Sequence, residues 1–224
     1  MIFRSTQEKH MPSRTRRMLA VCTTLLALAA YPAVASTAAA APPSPASVPQ
    51  RAQIGLPPIG AEIPMSMFAV NSPMRIGADL VSVDFRGGIR QRVEVNPEDP
   101  FRSVRLRTVG FRVTAEISDE AGTVTIEQND IDVEASSKLT LTQQFPPRYE
   151  HVISVPVTVT IDRPDGDPLV LTATKPMVMV ADIRQFPPRG DQYRLREPVD
   201  FAAPDDPEKT EATLEQFPAR VGGL

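Results

Sequence analysis

Between residues 79 and 183, apolar and polar side chains alternate with a period of two, the pattern of strands that bury one face. Leu80 to Phe85 and Ile89 to Val95 flank Arg86-Gly87-Gly88, which reads as a hairpin turn because glycine accepts positive φ. Asn96-Pro97-Glu98-Asp99-Pro100 closes that unit with turn-forming residues. A second hairpin pairs Val104–Ile117 with Thr123–Ala135. Setting Ile117 opposite Val124 places Ala115 against Ile126, Leu106 against Ala135 and Arg107 against Glu134. The inward row shifts parity in both arms, from Val104 and Leu106 to Val109 through Ile117, and from Val124 and Ile126 to Ile131 through Ala135. The shifts fall near Gly110 and Asn129-Asp130 and predict a shared bulge or strong twist.

The third hairpin runs from Ile153 to Ile161 and returns at Leu169, with Ile161 facing Leu169, Val159 facing Leu171 and Val157 facing Ala173. Pro156 and Pro176 share the outward parity and predict an edge or an interruption, because proline cannot donate to a ladder. Met177, Met179, Ala181 and Ile183 continue the inward row. From Ile54 to Ile76 the chain is apolar but broken by Pro57, Pro58, Pro64 and Pro73, which suits irregular or edge structure. Residues 206–217 alone predict a helix, with Asp206 as cap, Pro207 in the first turn and Leu214 to dock it. Together these elements predict an all-β, antiparallel β-sandwich, immunoglobulin-like or related, over residues 54–203, with a short C-terminal helix in a tail of residues 204–224.

Ahead of the strands lies a different kind of sequence. Arg14, Arg16 and Arg17 lead into an apolar run from Met18 to Ala30, and Ala33-Val34-Ala35 offers small residues before Ser36. Residues 1–35 therefore predict a signal peptide cleaved near Ala35-Ser36, and hence a secreted, periplasmic or cell-surface protein. Membrane attachment is expected only through this segment if it is kept. Residues 36–53, rich in Ala, Pro and Ser, predict a disordered linker.

Removing the leader changes the chemistry available. It takes five of 24 basic residues and one of 27 acidic ones, leaving 19 against 26 and a net charge of −7, which disfavours nucleic acid as a partner. It also takes Cys22 and His10, so the mature chain has no cysteine and a single histidine, His151, whose default reading is a surface or turn residue. Disulfides, a cysteine nucleophile and a two-histidine metal helix are thereby excluded. Seven arginines between Arg86 and Arg112 precede seven carboxylates between Glu116 and Glu134, and adjacent strands of opposite sign would pair.

Three near-copies of one pentapeptide stand out: Gln144-Phe-Pro-Pro-Arg148, Gln185-Phe-Pro-Pro-Arg189 and Gln216-Phe-Pro-Ala-Arg220. As punctuation at element exits, Phe145, Phe186 and Phe217 would anchor in the core edge while Arg148, Arg189 and Arg220 reach solvent or a carboxylate. The alternative is a set of polyproline ligands for a partner's aromatic groove.

Two M-x-M pairs, Met65 with Met67 and Met177 with Met179, are weak candidates for Cu(I), because thioethers are soft ligands; as inward residues they equally fill core gaps. Asp130, Asp132, Glu134, Asp162, Asp165 and Asp167 are candidates for a hard cation such as Ca²⁺, without the spacing of a calcium loop. No catalytic residue and no cofactor is assigned. The expectation is a non-enzymatic exported module that binds or has a structural role, with an unknown protein or cell-surface partner. The alternatives are a carboxylate-dependent secreted hydrolase, which a cleft holding two carboxylates would favour, and a Met-lined carrier of an apolar ligand or Cu(I).

Overall fold

A computed structural model describes residues 55–117, 122–129, 137–164 and 166–223. The export signal, the linker, Asp130, Asp132, Glu134, Asp165 and the pairings drawn to Glu134 and Ala135 lie outside these residues. Alternation resolves into thirteen strands: β1 (Glu62–Ile76), β2 (Asp79–Val95), β3 (Ser103–Ile117), β4 (Gly122–Gln128), β5 (Lys138–Gln143), β6 (Arg148–Val155), β7 (Val157–Asp162), β8 (Leu169–Ala173), β9 (Met177–Ile183), β10 (Arg189–Leu195), β11 (Val199–Ala203), β12 (Asp206–Leu214) and β13 (Ala219–Gly223). The described residues are all-β and every pairing among them is antiparallel.

The two-sheet division expected of a sandwich is not the pairing observed. All thirteen strands join one sheet, and two further pairings, β12 with β1 and β3 with β5, fold it back on itself. Two rings result. The first runs β1-β2-β3-β4-β7-β8-β11-β12 and returns to β1; the second runs β1-β2-β3-β5-β6-β9-β10-β13 and also returns to β1. The long strands β1, β2 and β3 are common to both. Ring closure satisfies edge groups that an open sheet would expose.

Two of the strands common to both rings, β1 and β3, carry an extra residue that shifts the parity of the inward row. In β1 the inward row Met65, Met67, Ala69 gives way to Ser72, Met74 across a bulge between Ala69 and Ser72. In β3 the row Val104, Leu106, Thr108 gives way to Phe111, Val113, Ala115, and the register with β2 shifts between Arg90 and Gln91. A bulge is therefore present at Gly110, in the pairing with β2, although Val109, expected inward, faces out; the Asn129-Asp130 half of the expected shared bulge runs into residues outside those described. β2 has no extra residue and keeps one parity, so each bulge shifts the numbering of its own strand's inward row while holding that row opposite the inward row of β2.

The prolines divide the third hairpin between the rings. Pro156 separates β6, which pairs with β5 and β9, from β7, which pairs with β4 and β8. Pro176 separates β8 from β9 on the returning arm. The predicted contacts of Ile161 with Leu169 and Val159 with Leu171 are observed. In the second hairpin the observed partner of Val124 is Ala115 and that of Ile126 is Val113, a slip of two residues from the expected register. A slip of two keeps every side chain on its expected face.

Two expectations are corrected. Arg86-Gly87-Gly88 is not a turn: β2 passes straight through it, and neither glycine has positive φ. The inward row Val83, Phe85, Ile89, Gln91, Val93 keeps one parity across the pair, as an uninterrupted strand demands. Residues 206–217 form strand β12 and its exit rather than a helix, and they are not an appendage. β12 pairs with β11 and closes the first ring on β1, while β13 pairs with β1 and β10 in the second. Ala212 and Leu214, two residues apart, face inward opposite Phe201 and Val199. Edge pairing outweighs a local helix signal of caps and one apolar residue.

Candidate functional site

In the second ring β2 and β3 stay paired from Arg86 with Thr114 to Val95 with Val104. Beyond Arg86 and Thr114 they part: among the described residues Val83 to Asp79 pair only with β1, and Ala115 to Ile117 only with β4. The glycines mark the pivot. A Cβ on Gly87 would stand 2.0 Å from the carbonyl oxygen of Arg112 and 2.7 Å from Cα of Val113, and one on Gly88 would stand 2.8 Å from the carbonyl oxygen of Met65. Only residues without a side chain allow the backbones of β1, β2 and β3 to pinch so closely.

Past the pinch, the wedge between the strands is a cleft of about 920 Å³ in the wall of the first ring. Ser82, Asp84 and Arg86 line it from β2, Thr114 to Ile117 from β3, and Gly122 and Thr123 from β4. Asn71, with φ 52° in the bulge of β1, donates its backbone N–H to Asp84 Oδ1 at 2.8 Å and fixes that carboxylate at the cleft wall. Arg86 turns toward β1, its guanidinium 5.4 Å from the centre of the Phe68 ring, a cation–π arrangement. Glu116 is exposed on the opposite wall, and Thr123 below it donates to Asp162 Oδ2 at 3.0 Å. Among the described residues neither Asp84 nor Glu116 forms an ion pair. Among the described residues the cleft thus presents two carboxylates without ion pairs and the unpaired edges of two strands.

The second ring holds the other concentration of polar groups, and it is sealed. His151, on β6, is wholly buried, not at the surface. Its Nδ1 lies 2.6 Å from the Tyr193 hydroxyl and its Nε2 3.2 Å from Gln91 Oε1. The neutral ring satisfies both contacts when Tyr193 donates to Nδ1 and Nε2–H donates to Gln91. Phe186 and Tyr193 stand edge-on to the imidazole at 5.3 and 5.4 Å. Burial pushes the imidazole pKa down to about 3, and burial followed by the Asp191 carboxylate pushes the Tyr193 hydroxyl up. A neutral, caged histidine is a structural hydrogen-bonding hub.

The residues singled out in the sequence are dispersed. Met65, Met67, Met177 and Met179 all face the interior of the second ring, but β13 and β10 stand between their strands. The adjacency that would gather their sulfurs is missing. Asp162 and Asp167 are exposed, and among the described residues no three His, Asp or Glu side chains gather at a metal-binding distance. Opposite charges do meet across strands, Arg112 with Glu127 at 3.9 Å and Arg92 with Glu62.

The pentapeptides lie at strand exits: β5 to β6, β9 to β10 and β12 to β13. Phe217 is buried at 1% exposure against Phe85, and Phe186 packs on His151, but Phe145 is 91% exposed and anchors nothing. Arg148, Arg189 and Arg220 all face solvent.

No family model matches this chain, and no curated protein is found as its relative. One solved structure is similar. It is that of DynF from the dynemicin biosynthesis pathway of Micromonospora chersina, with a TM-score of 0.61 and 17% identity, covering 76% of this chain and 83% of DynF. At that identity the likeness establishes the β-rich fold alone.

Asp84, Arg86, Glu116, Gln91 and Tyr193 were not foreseen as site residues. One signal existed for Gln91: it occupies the inward parity between Ile89 and Val93, where an amide must find a buried partner. For the cleft the signal was Gly87-Gly88 within an unbroken alternation, which marks close backbone approach.

Proposed function

We propose that this chain is an exported, non-enzymatic binding module that takes its partner in the cleft between β2 and β3. The divergence of these strands past Arg86 and Thr114 carries the reading, because it leaves a roomy, solvent-open site in a wall that ring closure otherwise seals. His151 and Tyr193, the groups best suited to proton transfer, support it from the other side: both are fully buried in the second ring. The leader supports export, as its basic start, apolar run and small-residue end are what a signal peptidase substrate has.

Mass spectrometry of the protein from its native culture should show an N-terminus at Ser36. A photo-crosslinking side chain placed at Ser82 should capture a partner there, whereas one at Val170, exposed on β8 away from the cleft, should not. Equal capture at both positions would contradict the reading.

A carboxylate-dependent hydrolase is the second reading, favoured by Asp84 and Glu116 lining one cleft. Turnover of nitrophenyl glycosides that disappears in Glu116→Gln would replace the first reading with this one.

A further inference from the structure

The shape of the cleft says more than that something binds there. Resting on the reading of the cleft as a binding site, we propose that its occupant is an extended segment of another protein, added as a strand between β2 and β3, with basic residues alternating with apolar ones. Both walls are strand edges. Among the described residues no strand pairs with the β3-facing side of Asp79–Val83, nor with the β2-facing side of Ala115–Ile117. Such rows of unpaired N–H and C=O groups are templates for an incoming strand, and main-chain hydrogen bonds supply its affinity.

Period-two geometry then dictates the pattern of the guest. A strand lying in the plane of the wall sends alternate side chains to its two sides. On the outer side they meet Asp84 and Glu116, which lack basic partners, while the one cation of the lining, Arg86, is drawn toward Phe68. On the inner side they meet Ala115 and Ile117, next to the buried Val83 and Phe85. Lysine or arginine fits the first set and a small β-branched residue the second. Asp79 to Phe85 is seven residues of edge, about 23 Å at 3.3 Å per residue, so a segment of five to seven residues fills it.

The probe is a capped heptapeptide alternating lysine with valine, titrated against the purified full chain by calorimetry and by backbone amide NMR. One-to-one binding is expected, with protection of alternate amides over residues 79–85 and 115–117. Affinity should fall by roughly tenfold, about 1.4 kcal/mol, in the Asp84→Asn, Glu116→Gln double variant, since both opposed charges are then removed. N-methylating alternate amides of the peptide, which keeps its charge but removes its ladder bonds, should abolish binding. Equal binding of the N-methylated peptide, or equal binding of a peptide with glutamate in place of lysine, would overturn strand addition, as would no binding at millimolar peptide. If the native partner is captured at Ser82 while the heptapeptide fails, the binding-module reading stands and strand addition falls.

Discussion

The two rings share three strands and differ in how those strands leave the waist. In the second ring β2 and β3 remain paired to their ends, and the interior carries a histidine bonded through its two ring nitrogens to a tyrosine hydroxyl and a glutamine Oε1. In the first ring the same two strands separate, and the polar groups face solvent across a cleft. One sequence feature, glycine at 87 and 88, stands at the boundary. A pinch makes closure on one side and divergence on the other, so the sealed half and the open half are consequences of one close approach.

The largest effect expected is at that pinch. Gly87→Val should cost at least about 4 kcal/mol in urea denaturation, because its Cβ meets backbone on β3 that cannot yield without breaking the pairing. Gly110→Ala, where a Cβ meets nothing within 4 Å, should stay within about 0.5 kcal/mol. If the two variants behave alike, the waist is not a close-packed pivot.

The repeated pentapeptide gives the next contrast. Phe217→Ala should lose about 3–5 kcal/mol, Phe186→Ala less, and Phe145→Ala under about 0.5 kcal/mol, since the three rings run from buried through half-buried to exposed. Comparable losses for Phe217→Ala and Phe145→Ala would refute the difference in burial.

Acid separates the rings through His151. Its folded pKa is about 3, below the unfolded value of about 6.5, so between these values the unfolded chain binds a proton that the folded chain refuses. Stability is therefore full above pH 6.5 and falls as pH drops, by up to about 1.4 kcal/mol per unit. In the chain beyond residue 35 no other histidine contributes to this slope, so the interval from pH 6.5 to about 5, above the usual carboxylate range, reports His151. Denaturation midpoints that do not move over that interval would show that the imidazole is not sealed. The smallest effect belongs to the open side: the Asp84→Asn, Glu116→Gln double variant should change stability by less than about 0.5 kcal/mol, since both side chains are exposed and without ion pairs.

The legible part of the fold is the local part. Alternation revealed the strands, the parity change at Gly110 revealed a bulge, and Pro156 revealed an interruption, because each is written in neighbouring residues. Ring closure was not legible, since pairing of β12 with β1 joins residues about 140 apart and leaves no local trace. The same non-local pairing turned a segment with helix caps into a strand. Gly87-Gly88 misled because a turn and a close approach both call for glycine, and only the uninterrupted parity on either side distinguishes them. His151 has the polar neighbour Glu150, which suggests the surface, yet the inward row of β6 decides its place in the interior.

Amide hydrogen exchange along β2 reads the parting of β2 from β3 residue by residue. Residues 87–92 have strands on both sides and should exchange slowly throughout, whereas over residues 79–85 slow and fast amides should alternate, the fast ones facing the cleft. Uniformly slow exchange along all seventeen residues of β2 would mean that the strands do not part, and the cleft with its proposed guest would be contradicted.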